Sequence, residues 1–105
     1  MTGVQTCALP ISVSKTLRGR LNDANGIRRI GDLLITDITV RDGEAHGATA
    51  LHISSGRIVP IVAKTVVIAT GGLTRLYRRN SASVNMGGDG YALALRAGAE
   101  LIDME

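Results

Sequence analysis

Two glycine pairs and one aspartate carry most of the chemistry this sequence offers. Ala69 to Gly72 reads ATGG, and Asn85 to Gly90 reads NMGGDG. A small, apolar run that stops in two glycines lets a ligand come against the main chain without interference from a Cβ. Gly87, Gly88 and Gly90, around Asp89, offer a second such place where a helix is expected to start. Helix N-termini carry free N–H groups and partial positive charge, which suit a phosphate or an electron-rich ring. Each piece also has a plainer reading, Gly71-Gly72 as a tight turn and Asp89 as the cap of its own helix. Their order and separation along the chain make a shared ligand the better account.

Other reactive side chains form no comparable group. His46 and His52 have no Cys or carboxylate at metal-ligand spacing. Ser54, Ser55, Ser81 and Ser83 fall in expected turns, and none has the G-x-S-x-G setting of a hydrolase nucleophile. Asp103 and Glu105 share one face of an expected strand without a visible partner. Arg75, Arg78 and Arg79 read most simply as a solvated helix face, with a phosphate-bearing cofactor or a partner subunit as the alternative. Cys7 is the only cysteine, so neither an intrachain disulfide nor a cysteine-built metal site is expected, and a reducing compartment fits.

These groups must be positioned by one small domain. With 45% hydrophobic and 20% charged residues in a chain of 105, the composition is that of a globular protein, not a disordered one. Two Tyr and no Phe or Trp leave the core without its usual large anchors. The formal charge is +3, yet Asp23, Asp32 and Asp42 interrupt the basic residues. A continuous basic face with interleaved aromatics is missing, so nucleic-acid binding is not expected. No apolar run approaches the roughly 20 residues of a membrane span, and no signal peptide is expected.

Apolar residues at Val13, Leu17, Leu21 and Ala24 predict a helix from Val13 to Asn25, and Ile27 to Ile30 reads as a short strand. Leu33 to Val40 is rich in β-branched residues and reads as a strand. Asp42-Gly43 signals a hairpin, with Ala45 to Ile53 returning. Ser54-Ser55-Gly56 turns again into a third strand, Arg57 to Ala63. Pro60 cannot donate to a ladder, so that strand belongs on an edge. Thr65 to Thr70 (TVVIAT) is continuously apolar, the mark of a strand buried on both faces of a parallel α/β sheet. A helical turn is expected over Leu73 to Arg79, and a polar loop over Asn80 to Gly88. A helix from Asp89 to about Ala97, stopped by Gly98, and a strand from Leu101 to Met104 complete the reading.

KTVVIATGG, LYRRNSASVNMGGDG and ALALRAGAELIDME, in that order, resemble the flavin domain of the succinate dehydrogenase, fumarate reductase and aspartate oxidase family. The resemblance covers Val13 to Glu105 and is most specific from Thr65 onward. It implies an α/β fold, a partial FAD/NAD(P)-binding Rossmann-like domain with an antiparallel β-meander. It also implies FAD as cofactor, bound by Thr70, Gly71, Gly72, Gly88, Asp89 and Gly90, with Asp89 standing where the family's TGDG aspartate contacts FAD. Gly87 departs from the pattern, since the family usually has Thr there. The family's GxGxxG segment, its substrate-binding His and its proton-donating Arg have no counterparts here, so no residue is expected to be catalytic. The implied parent is a FAD-dependent oxidoreductase acting on a dicarboxylate. Its expected partner is an iron-sulfur subunit, and its expected location is the cytoplasm or the cytoplasmic face of a membrane. Met1 to Ile11 (MTGVQTCALPI) resembles a translated sequencing adapter, and the segment also has no charge and no helical or strand period. Residues 1–12 are accordingly expected to be a non-native leader, and 13–105 a truncated FAD-binding domain. The residues alone leave two other readings open, a nucleotide-binding α/β protein of another family and a non-catalytic β-meander interaction module.

Overall fold

The computed structural model describes residues 3–104, with side chains from residue 11 onward. Met1, Thr2 and Glu105 lie outside the described residues, and with them one member of the Asp103/Glu105 pair. The chain divides into two compact units, one ending at Gly31 and the other starting at Asp32.

The first unit is built on helix α1, Gly3–Asp23. It ends close to where the apolar spacing places its end but starts well upstream, in the stretch read as having no helical period. Helical hydrogen bonds run between residues four apart in one segment, so a helix can form without a periodic apolar face. It also runs through Pro10, whose missing N–H leaves out one rung. Val13, Leu17 and Leu21 share helical spacing but are all exposed. Ile27 to Ile30 is not a strand, because no described segment pairs with it and a strand has no hydrogen bonds of its own to make.

The second unit holds the meander, strands β1 (Leu33–Arg41), β2 (Glu44–His52) and β3 (Arg57–Val62), antiparallel in that order. Arg41 pairs with Glu44 across the first hairpin. Asp42 and Gly43 there have φ of 52° and 80°, both positive as a type I′ turn requires. Pro60 lies on the edge strand β3 opposite Thr49, where its missing N–H disturbs no further ladder. The register of β1 on β2 slips between Ile35 and Asp37, which leaves Thr36 as the extra residue of a bulge. Its hydroxyl donates to the Thr49 carbonyl at 3.1 Å.

Beyond the sheet the order of elements follows expectation, with two corrections. A 3-10 turn spans Thr74–Leu76 and helix α2 spans Asp89–Arg96. Thr65 to Thr70, however, forms no ladder, and Val67 is 83% exposed. A strand of a parallel sheet draws its hydrogen bonds from strands on either side, and no described residues supply them. Leu101 to Met104 likewise forms no strand; the Tyr77 hydroxyl donates to the Met104 carbonyl at 2.5 Å.

The core is small. Among the described residues its buried hydrophobic members are Ala48 and Ala50 on the middle strand and Leu93 on α2. Val62 at 93% exposed and Ile102 at 80% show how much apolar surface stays open to water. That area drives association, since each exposed apolar side chain forgoes about 1.5–3 kcal/mol of burial. The 105-residue chain by itself is therefore expected to bind a hydrophobic dye and to melt without a cooperative transition. A single sharp calorimetric transition with little dye bound would show the opposite.

Candidate functional site

The two glycine-lined bends come together. Gly90, in the first turn of α2, is buried against the segment that ends in Thr70. A Cβ added at Gly90 would overlap the Thr70 hydroxyl and stand 2.8 Å from Ile68 Cγ2. Only a residue with no side chain lets α2 sit this close to the 68–71 segment. Gly88, the residue preceding α2, has φ of +85°, and a Cβ there would meet Leu73 Cβ at 2.8 Å. Further along, the Arg75 N–H donates to the Met86 carbonyl at 3.1 Å, and Met86 Cε lies 3.0 Å from where a Cβ on Gly72 would be. The loop after Thr70 and the loop before Asp89 are thus fastened to each other at several points.

Between them lies an open cleft of about 280 Å³ lined by Ile68 to Gly71 on one side and Gly90, Tyr91 and Ala94 on the other. Its lining is mostly apolar, which suits the face of a planar ring. Gly71 sits at its margin with φ of +81° and open space where a Cβ would point, so its main chain can be approached closely. Of the six residues singled out from the sequence, Thr70, Gly71 and Gly90 line the cleft; Gly88 and Asp89 stand at the helix start beside it, where Asp89 borders the recess between α2 and β1. Gly72 stands slightly apart, under Met86.

Asp89 is not the cap of its own helix. Gly88 holds that position, and no side chain caps α2. The Asp89 carboxylate is exposed and has no hydrogen-bond partner among the described residues. Its charge is favourably placed in the first turn, and its Oδ2 lies 3.8 Å from where a Cβ on Gly87 would stand. A side chain at 87 would therefore start at ordinary contact distance from this carboxylate.

The remaining candidates stay apart. Arg75, Arg78 and Arg79 are exposed, and among the described residues none forms an ion pair. His52 Nδ1 is 2.7 Å from the Ser55 hydroxyl in an exposed turn, and no group of described residues could hold a metal ion. No helix among them is long and apolar enough to cross a membrane. The signal missed in the sequence was Arg96, which reaches β1 through Asp37 and Thr36; a residue separation of that size leaves no local trace.

A glycine-ended segment and a glycine-started helix, closed on one apolar cleft, define a piece of a nucleotide-cofactor-binding α/β domain. Residues 12–105 match the FAD binding domain family, and the chain belongs to that family. It is 40% identical over 79 residues to an uncharacterized FAD-dependent oxidoreductase of Methanocaldococcus jannaschii, covering 75% of this chain and 15% of that protein. It is 42% identical over 79 residues to the fumarate reductase flavoprotein subunit of Escherichia coli, covering 75% of this chain and 13% of the subunit. Against the fumarate reductase flavoprotein subunit of Mycobacterium tuberculosis the identity is 39% over 90 residues, 86% of this chain and 15% of the subunit. No solved structure matches. The chain thus spans about one seventh of the length of these relatives. The family that the motifs resemble is the family found, FAD is its cofactor, and a nucleotide-binding protein of another family is set aside.

The glycine contacts make a graded prediction for FAD retention in a full-length flavoprotein carrying this segment. Gly90→Ala should weaken FAD binding at least about tenfold, because it drives α2 away from Thr70. Gly88→Ala should cost about 1–2 kcal/mol for the left-handed backbone alone, before any displacement of Leu73. Gly87→Thr should leave retention unchanged or improved. Flavin release followed by fluorescence checks the order, and a Gly90→Ala protein that kept its FAD as well as the parent would refute the packing argument.

Proposed function

We propose that this chain is the FAD-seating segment of a longer oxidoreductase, one that passes a hydride between FAD and a dicarboxylate such as succinate or fumarate. The observation that carries the proposal is the closure of Gly90 on Thr70, which sets two backbone-lined bends on either side of one cleft. Thr70, Gly71, Gly72, Gly88, Asp89 and Gly90 are the residues assigned to hold the cofactor. The glycines let the main chain approach it, the N–H groups that open α2 face its electron-rich or charged part, and Asp89 accepts hydrogen bonds from it. The apolar wall of Ile68, Ala69 and Ala94 excludes water from the same side. FAD, when bound, supplies hydride acceptance and donation; the protein's share is to orient the ring and tune it. Fumarate reductase flavoprotein subunits among the relatives support the dicarboxylate and an assembly of more than one subunit; an iron-sulfur partner subunit and a place in the cytoplasm or at its membrane face belong to the same proposal.

Residues 1–12 are assigned outside this working unit and 13–105 within it, as part of a larger FAD-binding domain. The family match, which begins at residue 12, supports that boundary.

Three measurements test this. DNA on the two sides of the reading frame should encode a GxGxxG segment upstream and a substrate-binding His with a proton-donating Arg downstream. The 105-residue chain alone should purify colourless, while a full-length flavoprotein carrying it should be yellow and reduce fumarate or oxidise succinate. In that protein Asp89→Ala should lose most of its FAD. A folded, full-length protein without flavin absorbance would overturn the assignment.

A further inference from the structure

Helix α2 has two working faces. Gly90, Tyr91 and Ala94 line the cleft assigned to FAD. Asp89, Ala92, Leu93 and Arg96, at the spacing of one helical stripe, lie against β1 with Leu34, Ile35 and Thr36. The helix is thus held from behind by the meander, and the attachment is specific. Arg96 Nη2 donates to the Thr36 carbonyl at 2.7 Å, and Arg96 Nε donates to Asp37 Oδ1 at 3.1 Å.

The receiving groups lie on the open edge of the sheet, at the bulge. Thr36 is the residue that the β1–β2 register skips, and β1 is an edge of the sheet, so carbonyls on its outer side have no partner strand. A planar guanidinium can take both groups at once, whereas an ammonium cannot present the same fork. Among the described residues this is also the ion pair that joins the meander to α2.

We propose that Arg96 and the Thr36 bulge form a positioning clamp, through which the meander sets the distance between the Gly88-Asp89-Gly90 turn and the flavin. The clamp rests on the assignment of the cleft to FAD. Arg96 touches no reacting atom; it acts by fixing the helix whose first turn faces the cofactor. Because the pair is more than half exposed, with side chains 56% and 58% accessible, its weight in global stability is small. Its weight in geometry is not, since α2 has only eight residues and one buried large side chain, Leu93, to hold it.

The test uses Arg96→Ala, Arg96→Lys and Asp37→Asn in the full-length flavoprotein carrying this segment, with FAD as the probe. Arg96→Ala should speed FAD release about two- to fivefold, the range that an exposed ion pair carries. It should also shift the visible circular dichroism of the bound flavin, with little change in the melting temperature of the apoprotein. Arg96→Lys should recover only part of the effect, and Asp37→Asn added to Arg96→Ala should make it no worse. Unchanged release and an unchanged flavin spectrum in Arg96→Ala would overturn the clamp while leaving the cofactor assignment intact. Full recovery by Lys, or flavin loss that merely tracks a fall in melting temperature, would also overturn it. A parent protein that holds no FAD would bring down the assignment and the clamp together.

Discussion

The missing side chain at Gly90 is the constraint on which the site depends. With a hydrogen in place of Cβ, α2 can lie against Ile68 and Thr70, and the cleft between them takes its shape from that contact. Any larger residue meets a hydroxyl and a branched methyl that are both held by their own backbone. The close approach is therefore steric and permissive: it contributes little attraction of its own but decides where attractive groups can go. Gly88 does the equivalent at the helix start, where a left-handed φ turns the chain into α2 and leaves Leu73 its room.

A turn built from glycines is soft, because glycine gives up more conformational freedom on ordering than any other residue. Something else must hold it. On one side the loop 83–90 is tied to the 72–76 loop through the Met86 carbonyl. On the other, α2 rests on β1 through Leu93 and Arg96. The meander, which by itself contributes no group to the cleft assigned to FAD, thereby gains a role in it. Its open edge, at the bulge, supplies an acceptor for a cation.

Much of the sheet was legible because its signals are local. Asp42-Gly43 dictates a tight hairpin through its own φ preferences, and Pro60 declares an edge because it lacks a donor. The helix starting at Asp89 and the 3-10 turn at Thr74 are equally local. Thr65 to Thr70 was misread as a formed strand because its apolar run reports burial between neighbours that the described residues do not include. Ile27 to Ile30 and Leu101 to Met104 failed for the same reason. The upstream reach of α1 was missed in the opposite sense, since a helix completes its hydrogen bonds without any periodic face or partner.

For the site proposed to hold the cofactor, residue types and order pointed to Gly71-Gly72 and to the glycines around Asp89, and the family resemblance added Thr70 to make the group of Thr70, Gly71, Gly72, Gly88, Asp89 and Gly90. That the two bends meet, that Gly90 and not Gly87 is the residue pressed against Thr70, and that Asp89 is free while Gly88 starts the helix were decided only by the tertiary structure. So was the reach of Arg96 to Thr36 and Asp37. Backbone preferences are properties of a few adjacent residues and can be read along the chain. Contacts between distant segments depend on how the bulge and the turns direct them, and no linear pattern records that.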